Sequence, residues 1–190
     1  MGKKKSKKSK NRTPKMDKID QFFADYPDFD YDRTESSPRE FYRMCDFFDW
    51  GKNSRDEYPA ERLQAQDDFR RAMVENFNDH FGTDVDDQQA WEHMCVVLGI
   101  EPLPQTMQAM KAAVKSTHVN LADLLDNDRS GALLRIFDTQ VELAHYTRST
   151  GRFFPKEDAY AGGLLRFLLR EITGTYHGRR AGQQRSRKKR

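Results

Sequence analysis

The chain has 190 residues, a net charge of +3 and an apolar share of 36%. That length suits one domain of ordinary size. No apolar run approaches the roughly 18 residues of a membrane span, and nothing apolar follows the basic start as a secretory signal would require.

The charge is strongly segregated. Residues 1–15 carry eight Lys or Arg and no acid, and residues 177–190 carry seven and no acid. Residues 16–176 are left with 18 basic against 30 acidic groups, a net of −12. This acidic body is about 40% apolar and rich in Phe, enough for a core. The basic segments are of low complexity, and their composition predicts disorder.

In chain order, Asp17 to Ala24 reads as a short helix with Ile19, Phe22 and Phe23 on one side, ended by Pro27. Tyr26 to Asp32, YPDFDYD, alternates rings and acids and reads as an extended arm laid on the domain by its rings. Ser37-Pro38-Arg39-Glu40 predicts a helix start with a capping box and a first-turn proline. Phe41, Met44, Cys45 and Phe48 mark its inner face, and Gly51 is the expected stop.

Pro59 to Phe81 reads as a long helix, with Leu63, Phe69, Ala72, Met73, Phe77 and Phe81 inward and Gly82 at its C-terminal cap. Asp86 or Asp87 caps a further helix carrying Trp91, Met94, Cys95 and Leu98, closed by Gly99. Pro102 and Pro104 make a stiff turn before a helix from about Gln105 to Lys115. Asn120 caps a short helix, Leu121 to Leu125, and Leu133 to Phe137 reads as a strand or an irregular run. Thr139-Gln140-Val141-Glu142 is a second capping box, opening a helix to Thr147 or Arg148.

The last element, Phe153 to Ile172, organises the rest. Pro155 suits its first turn, and Ala161, Leu164, Leu165, Leu168 and Ile172 follow helical spacing. Tyr160, Phe167 and Leu169 add apolar groups on other faces, so the helix is expected to be enclosed by neighbours. Gly162 and Gly163 each lower helix propensity by about 1 kcal/mol relative to alanine, which predicts a close backbone approach there. The fold expected is all-α, one compact domain over residues 17–173 with seven or eight helices, between basic tails at 1–16 and 174–190.

The segments EFYRMCDFF, GTDV, Trp91…Cys95…Leu98-Gly99-Ile100, THVNL-DLLD and FPKEDAYAGGLLRFLLREI carry a resemblance. On them the body, roughly residues 20–172, resembles a group of small uncharacterised fungal proteins. The resemblance implies one folding unit. It brings no activity, cofactor or site residue.

The chemistry-bearing patterns are short. Asp126-Asn127-Asp128-Arg129-Ser130-Gly131 starts like a calcium loop, with Asp126, Asp128 and Ser130 as oxygen ligands, but position twelve is Phe137 where a bidentate carboxylate belongs. The alternative is a plain Asn-Asp-Gly turn. Zinc would need clustered Cys and His, yet His93 and Cys95 point about 200° apart on a helix. Cys45 and Cys95 read as buried free thiols of a reducing compartment. No nucleophile motif and no phosphate-cradling glycine loop is present. No catalytic residue and no cofactor is therefore assigned.

His118 and Asn120 form the one polar site an enzyme of unknown class would use, against the ordinary reading of a structural histidine and a helix cap. Met1-Gly2-Lys3-Lys4-Lys5-Ser6 fits the short lipidation pattern, and with the polybasic run it makes a membrane-surface role the third reading. The basic arms give the leading one. Lys3, Lys4, Lys5, Lys7, Lys8, Lys10, Arg185, Arg187, Lys188, Lys189 and Arg190 are dense enough for nuclear import or phosphate contact. No aromatic residue stands among them, so nucleic acid would be held by its phosphates, without sequence preference. The expectation is a non-enzymatic nuclear or nucleolar interaction protein, with the cytoplasm as the alternative. Its acidic body would meet an unknown protein partner, and its arms would supply address and attraction.

Overall fold

The structure is a computed structural model and describes residues 16–131, 133–155, 163–165 and 168. Seven α-helices appear among the described residues: α1 Lys18–Ala24, α2 Ser37–Phe47, α3 Ala60–Phe81, α4 Gln88–Val97, α5 Met107–Ser116, α6 Leu121–Ser130 and α7 Gln140–Thr150. Two two-residue strands, β1 His118–Val119 and β2 Ile136–Phe137, pair antiparallel, with His118 opposite Phe137. Residues 163–165 and 168 are helical as well. The protein is all-α, as its periodicity predicts, and this bridge is its one β feature among the described residues.

The long helix α3 sets the layout. Its 22 residues give a rod about 33 Å long, against which α1, α4 and α6 pack, while α5 lies on α4, α2 on α6 and α7 on the β bridge. Ala65, Phe69, Ala72, Met73, Asn76, Phe77 and Phe81 form its buried stripe. Leu63 was expected inward but is half exposed, because it stands two residues, about 200°, from Ala65. The core runs continuously from Ile19 on α1 to Leu164, Leu165 and Leu168. Its α1–α2 end is ring-rich: Phe41 stacks on Phe69 at 4.8 Å and Phe23 on Tyr31 at 4.1 Å. Around α4 and α5 it is built from Trp91, Met94, Cys95, Met110 and Val114.

The close approach expected at the Gly-Gly pair is found at Gly163. A Cβ there would lie 2.1 Å from the Thr83 carbonyl oxygen and 2.8 Å from Val85 Cγ1. Residues 156–162, 166, 167 and 169–172 of the Pro155 helix, Gly162 included, lie outside the described residues.

Three boundaries differ from the sequence reading. The capping box at Ser37 does not form. Ser36 is the N-cap, without a side-chain bond, so Glu40 sits one position too deep to return to it. The buried Glu40 carboxylate instead accepts the Asp32 N–H at 2.9 Å and holds Arg43 through two bonds. Helix α2 ends at Phe47 before Gly51, with Asp49 taking the positive φ of the reversal. Helix α6 does not stop at Leu125 but continues to Ser130, where Gly131 in the left-handed region gives its N–H to Asn127. By contrast, the Asp17, Asp87, Asn120 and Thr139 side chains all cap helices.

Candidate functional site

The extension of α6 decides where its polar residues go. Asp126, Asp128 and Ser130 lie on helical backbone, not in a loop, so the calcium reading is corrected. A helix spreads successive ligands around its axis, whereas a calcium loop must curl them inward. Asp126 is buried and accepts the Ser37 N–H at 3.0 Å, which ties α6 to the start of α2. Arg129, one turn on, reaches α1. Its Nε lies 3.4 Å from Asp17, Nη2 lies 3.8 Å from Asp20, and Nη1 lies 3.6 Å from Asp126. Nη2 also donates to the Tyr31 hydroxyl. Asp20 in turn accepts from Arg33 Nε at 2.8 Å and from the Tyr31 hydroxyl at 3.2 Å.

This cluster is a closed clasp. Burial pushes the Asp126 carboxyl up to about 6, with the Ser37 hydrogen bonds pulling the other way. Burial lowers the Arg129 guanidinium, against the attraction of Asp17 and Asp20. Each charge has a protein partner, and the clasp's chemistry is structural. The sequence reading missed it: Arg129 appeared only as an unwanted charge in a calcium loop.

His118 and Asn120 are brought close by β1 and the start of α6, but Asn120 is fully engaged. Its Oδ1 caps α6 through Ala122 and Asp123, and its Nδ2 donates to Thr147 Oγ1 and the Arg152 carbonyl, both at 2.9 Å. His118, half-buried on the bridge, lines neither of the two clefts described below. Cys45 and Cys95 are buried free thiols; burial pushes Cys45 up to about 11 and raises Cys95 too, so neither is a ready nucleophile. His93 is exposed while Cys95 is buried, as helical geometry requires, and His93 lies instead beside His80, ring centres 5.5 Å apart. Among the described residues no group of three or more His, Cys, Asp or Glu is placed to hold a metal ion. No helix among them is long and apolar enough to cross a membrane.

What the surface offers is shallow and aromatic. One cleft of about 200 Å³ lies between α2 and α3, walled by Phe41, Tyr42, Phe69, Met73, Phe153 and Phe154. A second, about 360 Å³ and open, lies beside Met16 and is walled by Phe23, Tyr26, Pro27, Phe29 and Tyr31. From it a string of rings continues over the surface. Tyr26 meets Phe48 and Trp50, each at 5.9 Å, and Phe29 meets Phe47 at 5.8 Å. Phe47 is 57% exposed. The YPDFDYD segment lies on the body by its rings, as its pattern predicts: Phe29 is buried and Tyr26 and Tyr31 are half-buried. Phe47 at the surface was not foreseen, because it falls one position beside the predicted inner face of α2. The arm residues Lys3 to Lys10 and Arg185 to Arg190, and Gly2 of the lipidation pattern, lie outside the described residues.

No family model, no curated protein and no solved structure matches this chain.

Proposed function

We propose that the chain is a non-enzymatic interaction protein of the nucleus or nucleolus, whose acidic helical body meets a protein partner and whose basic arms serve import or phosphate contact. The observation that carries this reading is the segregation of charge: 15 Lys or Arg in the two arms without one acid, and a net of −12 between them. The site geometry supports it. The charged groups of the interior are spent on one another around Arg129, while the clefts are shallow and ring-lined, the character of a docking surface more than of a substrate pocket.

The test is a fluorescent fusion of the full chain beside one in which Lys3, Lys4, Lys5, Lys7, Lys8 and Lys10 and the Arg185–Arg190 cations are replaced by Gln. Nuclear signal from the first and its loss in the second is the expected outcome. A full chain that stays in the cytoplasm with both arms intact overturns the nuclear reading.

A further inference from the structure

The open cleft beside α1 has three features that belong together. Its wall is aromatic, with Phe23, Tyr26, Phe29 and Tyr31 around Pro27. An acidic run goes with it: the exposed Asp25, Asp28 and Asp30 alternate in sequence with those rings, Asp30 within reach of the Arg43 charge, while Asp20 and Arg33 line the cleft itself. And Met16, the first described residue, stands in the wall. The cations nearby are already committed, Arg33 to Asp20 at 2.8 Å and Arg43 to Glu40 at 2.6 Å. Arg43 also shows what the rings accept, its guanidinium lying 4.3 Å from the centre of Phe29.

We propose that this cleft, with the Phe47–Trp50 surface beside it, is the docking site of the chain's own N-terminal arm, residues 1–15. The arm carries eight Lys or Arg and no acid, and it joins the body at the cleft wall. Ten residues of extended chain span about 33 Å, ample to cross the cleft and the ring surface. Lysine stems lie on aromatic faces while their ammonium heads reach carboxylates. Each contact is weak at an exposed site, but the tether offsets this. A short linker holds the arm near the cleft at an effective concentration of order millimolar, so a contact too weak to capture a free peptide still forms within the chain. The other acidic turn, Asp84 to Asp87, offers carboxylates without rings and already holds Lys111 at 3.7 Å on Asp86, so charge alone does not choose between them and the aromatic wall does. The docked arm is withheld from phosphates and import receptors until salt or a competing polyanion releases it. The contact goes beyond the nuclear reading and stands whatever compartment the chain occupies.

The experiment uses the full chain with Ser6→Cys carrying a nitroxide. Cys45 and Cys95 are buried with raised pKa, so the label goes to position 6. Paramagnetic broadening of the backbone amides is then read at about 20 mM and about 500 mM salt, where screening is weak and strong respectively. At low salt the amides of 24–30 and 46–50 should broaden at least about threefold more than those of 84–87, and the difference should vanish at high salt. Replacing Asp25, Asp28 and Asp30 by Asn should cut the broadening by half or more and leave the rest of the spectrum in place. Equal broadening at 84–87 would mean diffuse attraction with no docking site and would overturn the proposal. So would a free arm at low salt. Broadening passed to an unlabelled-spin, isotope-enriched copy in a mixed sample would also overturn it, since the arm would then dock on a second chain.

Discussion

The two ends of α6 do the same job with opposite chemistry. At the N-terminal end, Asn120 is 3% exposed and neutral, and every hydrogen-bonding site of its amide is used, at 2.9 to 3.1 Å. It joins α6 to α7 and to the strand of chain after it. At the C-terminal end, Asp126 and Arg129 are equally buried and charged, and the guanidinium meets its three carboxylates at 3.4 to 3.8 Å, mostly too far for hydrogen bonds. Arg129 Nε and Nη1 make no hydrogen bond with a described residue. A neutral amide placed at bonding distance works by geometry and takes no account of pH. A buried ion cluster depends on the charge state of each member, because desolvation is incurred for every charge it holds.

The comparison is broken most directly by Arg129→Met. It fills similar volume but leaves Asp17, Asp20 and Asp126 without the guanidinium they share. Removing one partner of a buried charge cluster costs about 3–5 kcal/mol, and the denaturant midpoint should fall accordingly at pH 7. A loss below about 1 kcal/mol would show that water reaches the cluster and that the clasp is ornamental. Asn120→Ala tests the other end. It removes a helix cap, about 1 kcal/mol, and orphans Thr147 Oγ1 and the Arg152 carbonyl, about 1 kcal/mol each for partly buried groups. The total should be about 3 kcal/mol, the same at pH 5 and pH 8. A loss that varies with pH would mean that the two ends are not independent.

The two ends were also unequally legible in the sequence. Asn120 announces itself as a cap because the signal is local: an Asn just before an apolar periodic run. The starts of α4 and α7, at Asp87 and Thr139, were readable in the same way. The clasp was not, because its members come from positions 17, 20, 31, 37, 126 and 129, which no short window joins. The local pattern there, Asn-Asp-x-Ser-Gly, argued for a turn, and the tertiary partners Ser37 and Asp17 overrode it by rewarding one more helical turn. The same happened at Glu40, drawn from its capping box to Asp32 and Arg43. Gly163 was legible for the opposite reason: a glycine in an apolar helix already states that something lies close, and only the Thr83 carbonyl remained to be found. The cleft beside Met16 lay half in view, since the alternation of rings and acids from Tyr26 to Asp32 was plain, but the surface that Phe47 adds depends on where α2 turns.

The pH dependence sharpens the comparison further and tests the charge state of the clasp itself. Burial raises the Asp126 carboxyl from its ordinary 3.8 to about 6 in the folded chain, so between those values the folded state holds its proton more tightly than the unfolded one. Its contribution to stability is therefore fully present below pH 4 and is lost as pH rises through 6. Two pH units correspond to about 2.7 kcal/mol, so a change of about 2 kcal/mol is expected. Asp126→Asn keeps an acceptor for the Ser37 N–H but cannot titrate. Measured by denaturation at intervals from pH 4 to pH 7, the variant should gain about 2 kcal/mol relative to the parent chain as pH rises. Arg129 Nη1, 3.6 Å away, pulls the other way, as does Arg152, while Asp123 adds to the rise. If the guanidinium outweighs burial, the carboxyl will titrate below 4 and the variant will lose ground with rising pH. Parallel profiles would mean that the two effects cancel and that the charged end of α6 is as indifferent to pH as the neutral one.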